Sequence, residues 1–369
     1  MQVSERLRTL TGDGDGWGVF YRAREMVARG ERVTELTIGE HDIPTHPRIL
    51  AEMARAAAAG HTVKTTRGNI LITPGGQAAL FAAHMAACNP GDRALFIDPY
   101  YATYPGTIRA AGALPVPIAA RAEDGFQPRA EDIAAKAENA ASLMINTPNN
   151  PTGAVYGRDT LEAIAGLCRE RGIWLISDEV YDTMVWQGEH LSPRALPGMA
   201  DHVLVAGSMS KSHAMTGSRI GWIAGPEEAI SALIDLATHT TYGVPGYIQD
   251  AALFALDEGS WLEDEVSAPF RRRRALALEA LARQEILRVV PADGAMYLML
   301  DVRACGLSGT EFALRLLEAH HIAVMPGESF GQAAAGHVRV ALTVEDAALV
   351  AALERIADFA AILCREGVA

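Results

Sequence analysis

Lysine is nearly absent from this sequence of 369 residues, in which arginine supplies almost all of the positive charge. The three lysines are Lys64, Lys136 and Lys211. Lys211 lies among small polar residues in the segment SMSK at 208–211, directly after the apolar run 203–206. A primary amine can lose its proton and attack a carbonyl carbon, whereas a guanidinium stays protonated. The position of Lys211 therefore suggests that an amine is needed there.

Other features that the sequence lacks exclude whole classes of protein. No apolar stretch reaches the roughly 18 residues of a membrane span, and the amino terminus has no basic region followed by an apolar signal core. The four cysteines are scattered without metal or redox spacing, at positions 88, 168, 305 and 364. This pattern suits reduced thiols, so we expect a cytoplasmic protein without a membrane partner.

The charge balance argues against a nucleic-acid partner. The formal net charge is -13, whereas binding to phosphate backbones favours a basic face. The one basic run, at 271–274, lies in a helix-like segment and is interpreted as a solvated or interdomain face. Asp13 and Asp15 resemble part of a calcium loop, but Trp17 and Arg24 stand where oxygen ligands are needed. We therefore predict no metal site.

Apolar runs alternate with helical segments through the middle of the chain. The runs predict strands near Leu71, Phe96, Val116, Met144, Leu175, Leu204 and Ile223. This alternation predicts an α/β fold, with a mainly parallel seven-stranded sheet flanked by helices and a smaller α+β domain. We assign 45–255 to the large domain, and 1–44 with 256–369 to the small domain and an amino-terminal arm. A long helical passage around 235–257 is expected to connect them.

The amine suggests pyridoxal 5'-phosphate, because lysine forms a Schiff base with its aldehyde. The phosphate of this cofactor requires positive charge and N–H or hydroxyl donors, which a helix N-terminus can supply. Gly75 and Gly76 precede an alanine-rich helical segment, and Ser208 and Arg219 flank Lys211. Taken alone, a glycine pair is more often only a turn, and a single arginine is more often a surface ion-pair residue.

The pyridine ring of the cofactor requires a carboxylate at its nitrogen to keep that nitrogen protonated. Asp178 follows an apolar run typical of a strand buried on both faces, at the end where ligands bind in open sheets. Tyr181 and Asn150 can hydrogen-bond the ring hydroxyl, and Tyr101 can stack on the ring. Two other interpretations stay open, with Asp178 as a helix N-cap and the tyrosines as core residues.

Taken together, these segments resemble the class I and II aminotransferases, which are fold-type I pyridoxal-phosphate enzymes. Seven stretches occur in the order found in that family and cover nearly the whole chain. They are LTIGE at 36–40, TPGGQAAL at 73–80, DPYY at 98–101, NNPTG at 149–153, SDEVY at 177–181, SMSK at 208–211 and GHVRV at 336–340.

The resemblance implies a role for each matched position. Lys211 would hold the cofactor and act as general base, Asp178 would face the ring nitrogen, and Tyr181 would bind the ring hydroxyl with Asn150. The remaining contacts implied are Tyr101 on the ring, Gly75, Gly76, Gln77, Ser208 and Arg219 on the phosphate, and Gly39, Asn150 and Arg339 on the substrate. The implied reaction moves an amino group between an L-amino acid and a 2-oxo acid, in a homodimer.

Several alternatives remain open at this point. A β-lyase that breaks a C–S bond could use the same scaffold, because fold alone does not choose the reaction, and a noncatalytic binding module is a third reading. Gln77 stands where a basic residue would help to bind an acidic side chain, which argues mildly against a dedicated aspartate enzyme. An arginine supplied by a partner subunit would reverse this argument. Tyr242 could line the substrate pocket or pack beneath it.

The segment 61–68 departs from the family pattern. Relatives usually carry a longer stretch there, from which a tyrosine reaches the phosphate of the neighbouring subunit. Either this protein lacks that element or the sequence lacks residues of the natural chain; the abrupt join favours the second reading.

Overall fold

The structure is a computed structural model that describes residues 17–58, 66–290 and 292–365. Asp13, Asp15 and most of the segment 61–68 lie outside the described residues. The strands are β1 (Thr34–Leu36), β2 (Thr66–Arg67), β3 (Ile70–Thr73), β4 (Arg93–Asp98), β5 (Leu114–Ala119), β6 (Ala140–Asn146), β7 (Trp174–Asp178), β8 (Val203–Ser208), β9 (Gly221–Ala224), β10 (Arg288–Val290), β11 (Tyr297–Asp301), β12 (Ile322–Pro326) and β13 (His337–Ala341).

Helices connect and cover these strands. They are α1 (Gly18–Ala28), α2 (Pro47–Ala58), α3 (Gly76–Ala87), α4 (Tyr104–Ala110), α5 (Ala130–Ala134), α6 (Arg158–Arg171), α7 (Met209–Ser212), α8 (Glu227–Thr238), α9 (Gly246–Asp257), α10 (Trp261–Leu281), α11 (Gly309–His320) and α12 (Asp346–Arg365). Within the described parts of the chain, no helix combines the length and the apolar character needed to cross a membrane.

The larger sheet has eight strands in the order β2-β3-β9-β8-β7-β6-β4-β5. The five neighbouring strands β8, β7, β6, β4 and β5 pair in parallel. The remaining pairs, β2 with β3, β3 with β9 and β9 with β8, are antiparallel. The seven strands predicted from the sequence are β3 to β9, and the two-residue β2 adds an eighth. The predicted α/β fold with a mainly parallel sheet is confirmed.

The carboxyl ends of the central strands form one polar edge of this sheet. Every residue of β8 is buried, as expected for a strand covered by helices on both faces. Since β4, β6, β7 and β8 are parallel, their last residues lie along the same edge. These residues are Asp98, Asn146, Asp178 and Ser208. Ligands bind at this edge in open α/β sheets.

A second sheet combines the amino-terminal and carboxy-terminal parts of the chain. Its order is β1-β12-β13-β11-β10, with β1 parallel to β12 and the other pairs antiparallel. All five residues of β11 and of β13 are buried, and the core of this unit also includes side chains of α10, α11 and α12. The pairing of β1 is consistent with a small domain that includes both chain ends, and the domain boundaries stay a prediction.

The long helical passage predicted around 235–257 is not continuous. The chain forms α8 and α9 instead, and residues between Thr238 and Gly246 are not helical. Tyr242 and Gly243 have φ of 56° and 104°, outside the right-handed helical region. Pro245 directly precedes α9 as its N-cap, and proline cannot donate the backbone hydrogen bond of a helix interior.

The basic run 271–274 is only partly solvated. Arg273 in α10 is buried, and its guanidinium donates to both carboxylate oxygens of Asp42, at 2.9 and 2.6 Å. It also donates to Asp346 at 3.2 Å, whereas the neighbouring Arg272 is more than half exposed. The interpretation as a solvated face is therefore wrong for Arg273, because its position on α10 faces the loop after β1.

Candidate active site

The amine of Lys211 lies at the polar edge of the larger sheet. Ser208 caps α7, and its Oγ accepts the N–H of Ser210 at 3.1 Å. A serine at the N-cap fixes the start of a helix by satisfying one of its free N–H groups. From this short helix the Nζ of Lys211 donates to the carbonyl oxygen of Gly39 at 2.5 Å.

The surroundings of Lys211 make its amine easier to deprotonate. Burial lowers the pKa of Lys211 to about 8. Glu40 opposes this shift, while Arg339 and Arg219 act in the same direction as burial. An amine with a pKa near 8 is the free base in about a tenth of molecules at pH 7, far more than an ordinary lysine. The amine can therefore act as a nucleophile or as a base.

Asp178, the last residue of β7, brings a buried carboxylate to the same edge. Its Oδ2 accepts from the hydroxyl of Tyr104 at 2.6 Å, and its Oδ1 accepts from the N–H of Val180 at 3.2 Å. Burial raises the pKa of Asp178 to about 6, although both hydrogen bonds act in the opposite direction. The residues after Asp178 form a turn and no helix, so the open interpretation of Asp178 as a helix N-cap is wrong.

An anion cradle lies between α3 and Arg219. Gly75 is the N-cap of α3, with φ of 83°, and a Cβ there would stand 2.5 Å from Nη2 of Arg219. A Cβ on Gly76 would stand 3.1 Å from Cγ2 of Val180. Gly75 therefore lets the helix N-terminus approach a permanent positive charge, and Gly76 lets it pack closely against Val180. Free N–H groups, helix dipole and guanidinium together favour a bound phosphate.

The side chain of Gln77 points to α4. Its Nε2 donates to the hydroxyl of Thr107 at 2.5 Å, and its Oε1 accepts from the hydroxyl of Thr103 at 3.0 Å. The phosphate contact implied for Gln77 can therefore come only from its backbone N–H, which lies in the first turn of α3. The side-chain amide instead joins α3 to α4.

Tyrosines and one amide line the centre of the site. The hydroxyls of Tyr181 and Tyr297 are 2.8 Å apart, and burial raises the pKa of Tyr181 well above its ordinary value. Asn150 accepts a hydrogen bond from Nη1 of Arg339 at 2.7 Å. Tyr101 is largely buried, and its ring packs edge-on against that of Tyr104 with centroids 5.8 Å apart.

Arg339 lies in the middle strand of the smaller sheet, β13, and is 3% exposed. Its guanidinium lies between two aromatic rings, 4.3 Å from the centroid of Tyr297 and 4.4 Å from that of Phe330. One nitrogen donates to the carbonyl oxygen of Thr37, and the buried Nε has no partner among the described residues. A buried donor without a partner is costly, and a bound carboxylate would satisfy it.

The predicted residues surround one cavity of about 300 Å³ between the two sheets. Eleven of them line it, namely Gly39, Gly76, Gln77, Tyr101, Asn150, Asp178, Tyr181, Ser208, Lys211, Arg219 and Arg339. Gly75, the twelfth, lies directly behind Arg219. The chain thus brings together an amine, a carboxylate, an anion cradle and a second guanidinium.

Four aromatic residues that line the cavity, Trp17, Tyr104, Tyr297 and Phe330, have no predicted role. Tyr104 contacts Asp178, and Tyr297 and Phe330 enclose Arg339. Tyr104 belongs to the tyrosine cluster that follows β4, so its presence near the site had a sequence signal. Tyr297 and Phe330 come from segments that carry no matched motif.

Tyr242 does not line the cavity of its own chain and does not pack beneath it. Its side chain is 75% exposed and is not among the described residues that line the cavity. The positive φ at Tyr242 turns the chain away from α8 before α9 begins.

The family to which the sequence is matched is the one that the residues of the cavity indicate. Residues 36–356 match the family described as aminotransferase class I and II. This chain belongs to the class I and II aminotransferases. The members of this family depend on pyridoxal phosphate, and the mainly parallel α/β architecture is that of fold type I.

Relatives with described activities match this chain along most of its length. An arginine–pyruvate transaminase of Pseudomonas aeruginosa is 39% identical, over 98% of this chain and 99% of the relative. An aspartate/prephenate aminotransferase of Thermus thermophilus is 35% identical, over 91% of this chain and 93% of the relative. A solved structure of Thermus thermophilus aspartate aminotransferase, a double mutant, has a TM-score of 0.91 at 33% identity, over 97% of this chain and 100% of that one.

These similarities confirm that the chain is an aminotransferase acting on amino acids and 2-oxo acids. The names of these relatives describe amino transfer, and elimination is not among them. Since the substrates named differ between relatives, the amino donor has to be argued from the site.

Proposed function

We propose that this aminotransferase holds pyridoxal 5'-phosphate on Lys211 and uses the same amine to move a proton at the substrate. The observation that carries the proposal is a buried lysine with a pKa of about 8 in one cavity with Asp178 and Arg339. An ordinary lysine would be charged near neutral pH and could serve neither as nucleophile nor as base.

The residues present fit each polar handle of the cofactor. Gly75, Gly76, the backbone N–H of Gln77, Ser208 and Arg219 would hold the phosphate. Asp178 would face the ring nitrogen, and Tyr181 with the NH₂ group of Asn150 would bind the ring hydroxyl, because the oxygen of Asn150 already accepts from Arg339. Tyr101 would stack on the ring.

When bound, the cofactor withdraws electrons from the substrate α carbon and so allows that carbon to lose a proton. Lys211 Nζ would remove and return this proton as general base and acid. The carbonyl oxygen of Gly39, at 2.5 Å from Nζ, fixes the direction of the amine. Asp178 would keep the ring nitrogen protonated through its negative charge, which opposes deprotonation there.

Arg339 would bind the substrate α-carboxylate. Its buried Nε has no protein partner among the described residues, and an arginine can bind both oxygens of a carboxylate in a planar pair of hydrogen bonds. Tyr297 and Phe330 hold the guanidinium plane in place. This contact would orient the amino group and α carbon towards Lys211.

We propose a non-acidic amino donor, with arginine as the first candidate. Among the described residues that line the cavity, the cations are Lys211, Arg219 and Arg339. Each has a role on the cofactor or on the α-carboxylate, which leaves no further lining cation for a second substrate carboxylate. The 39% identity to an arginine–pyruvate transaminase supports arginine as donor and pyruvate as acceptor.

We also propose that the enzyme is a homodimer. Leu50 on α2 is 46% exposed. Leu253 and Leu256 on the neighbouring helix α9 are 58% and 52% exposed. Large exposed apolar side chains grouped on neighbouring helices are typical of subunit interfaces. Sedimentation of the wild type and of Leu253→Glu tests the proposal, because a charge in the interface would shift a dimer towards monomer.

The experiment that tests the reaction is a half-reaction followed by absorbance. Protein loaded with pyridoxal phosphate is mixed with each common amino acid, without an acceptor. Transfer predicts that the bound cofactor changes to pyridoxamine phosphate and that one equivalent of 2-oxo acid appears. Catalytic release of pyruvate and ammonia without that change would instead establish elimination. If aspartate converts the bound cofactor to pyridoxamine phosphate in preference to arginine, the proposed donor is wrong and the proposed reaction stands.

A further inference from the structure

Two cysteines far apart in the sequence meet outside the active-site cavity. Cys305 ends a 3₁₀ turn after β11, and Cys364 lies in the last turn of α12. Sγ of Cys305 is 3.9 Å from the carbonyl oxygen of Ala360, one helical turn before Cys364. Sγ of Cys364 is 3.3 Å from the carbonyl oxygen of Ala304, next to Cys305. Each thiol therefore touches the backbone that carries the other.

The two side chains also interact with each other. Burial, together with the neighbouring thiol of Cys364, raises the pKa of Cys305. Cys305 is buried, whereas Cys364 is exposed. A reagent in solution can thus reach Cys364. Cys305 is positioned to react with an oxidised sulfur at Cys364. Scattered sequence positions gave no sign of this pair, because the contact depends on the packing of α12 against the 3₁₀ turn.

We propose that Cys305 and Cys364 form a reversible disulfide when the protein meets a thiol oxidant such as hydrogen peroxide. Cys364 would attack the peroxide as a thiolate, forming a sulfenic acid while the leaving hydroxide takes up a proton to become water. The sulfur of Cys305 then displaces the second oxygen as water, and the Sγ–Sγ bond forms. Two thiol protons and two electrons pass to one peroxide, which becomes two water molecules. A dithiol reductant reverses the reaction.

The disulfide would link the end of α12 to the 3₁₀ turn of Cys305. This turn also contacts the part of the chain that forms the larger sheet. Arg303 begins this turn and pairs with Asp301 at 2.8 Å and with Glu123 at 3.3 Å. Glu123 belongs to the segment after β5. A cross-link between distant positions stabilises the folded state by restricting the unfolded chain. Oxidised protein is therefore expected to melt at a higher temperature than reduced protein.

The test uses full-length enzyme loaded with pyridoxal phosphate, treated with hydrogen peroxide, alkylated and mapped by mass spectrometry. We expect a peptide pair joined through Cys305 and Cys364, two hydrogen masses lighter than the sum and released by dithiothreitol. The buried Cys88 and Cys168 serve as internal controls and should be alkylated only after unfolding. Recovery of Cys364 in higher oxidation states, with Cys305 still a free thiol, would overturn the proposal.

Matched variants separate the pair from general oxidation. Cys364→Ser should lose the joined peptides and the rise in melting temperature while its turnover in reducing buffer stays that of the wild type. Cys305→Ser should leave Cys364 able to form a lasting mixed disulfide with glutathione, whereas wild type resolves it. A rise in melting temperature that persists in Cys364→Ser would contradict the assignment.

Discussion

Arg339 combines burial, two flanking aromatic rings and a donor, Nε, that has no partner in the part of the chain that the structure describes. Replacement by lysine keeps the charge but removes the planar pair of donors. We expect Arg339→Lys to lower kcat/KM by about 10- to 100-fold, since each tenfold loss corresponds to roughly 1.4 kcal/mol of binding. Steady-state kinetics checks this, with Arg315→Lys on the exposed face of α11 as the matched control. Equal kinetics in the two variants would remove Arg339 from substrate binding.

Tyr104 gives a prediction about pH. Its hydroxyl donates to Asp178 at 2.6 Å and holds the pKa of that acid down against the effect of burial. In Tyr104→Phe the carboxylate loses this support, so the pKa of Asp178 should rise above about 6. The acid limb of kcat/KM against pH should therefore move to higher pH. Tyr156→Phe, a buried tyrosine outside the cavity, should leave that limb unchanged.

Residue identities at the site were largely predictable, while some contacts were not. A phosphate, an aldehyde and a pyridine each demand a residue type, so Lys211, Asp178 and Arg219 could be nominated from chemistry and motif. The roles of these residues on the cofactor stay predictions. Tyr297 escaped notice because its hydrogen bond to Tyr181 joins two sheets that are distant in sequence. Local patterns carry no signal for such a pair.

At the scale of elements, α10 holds the loop after β1 in place through Arg273. Arg273 is buried, whereas its partners Asp42 and Asp346 are 28% and 29% exposed. Hydrogen bonds to charged groups contribute roughly 1.5 to 3 kcal/mol each. Arg273→Ala should lower the free energy of unfolding by about that amount, whereas Arg272→Ala, more than half exposed, should cost under about 1 kcal/mol. Urea unfolding of the two variants gives the comparison. Similar losses would show that burial of Arg273 contributes nothing.

The strands were easier to predict than the helix boundaries. Continuous apolar runs identify β4, β6, β7 and β8, because a strand between two helical layers has no polar face. The break between α8 and α9 escaped prediction, since Tyr242 takes a positive φ that side chains other than glycine adopt only when tertiary structure requires it. Similarly, the burial of Arg273 depends on Asp42, which is more than 200 positions away.

For the molecule as a whole, buried histidines predict acid sensitivity. Burial lowers the pKa of His41, of His84 and of His213 to about 4 from 6.5. Between these values the unfolded chain binds more protons than the folded one, so stability is complete above about pH 6.5 and falls as the pH drops towards 4. His84→Leu should reduce this fall by roughly 3 kcal/mol. Thermal unfolding between pH 4 and 8 measures it, and an unchanged pH profile in the variant would refute the role of His84.

The fold class followed from the alternation of apolar runs with helical segments more than from composition. The seven matched stretches belong to both sheets, since LTIGE begins at the last residue of β1, GHVRV overlaps β13, and the other five lie at or after the carboxyl ends of strands of the larger sheet. Composition alone would have fitted many α/β enzymes. The exposed leucines of α2 and α9 could not be foreseen, because exposure depends on how the two helices pack.

The most direct measurement is reduction of the purified enzyme with borohydride after loading with pyridoxal phosphate, followed by peptide mapping. We expect one phosphopyridoxyl group per chain, attached to Lys211, and no such group in Lys211→Ala. Lys136→Ala, which alters a lysine bonded to the carbonyl oxygen of Pro117 outside the cavity, should retain the adduct. A reduced adduct on another lysine, or none with the wild type, would contradict the central claim.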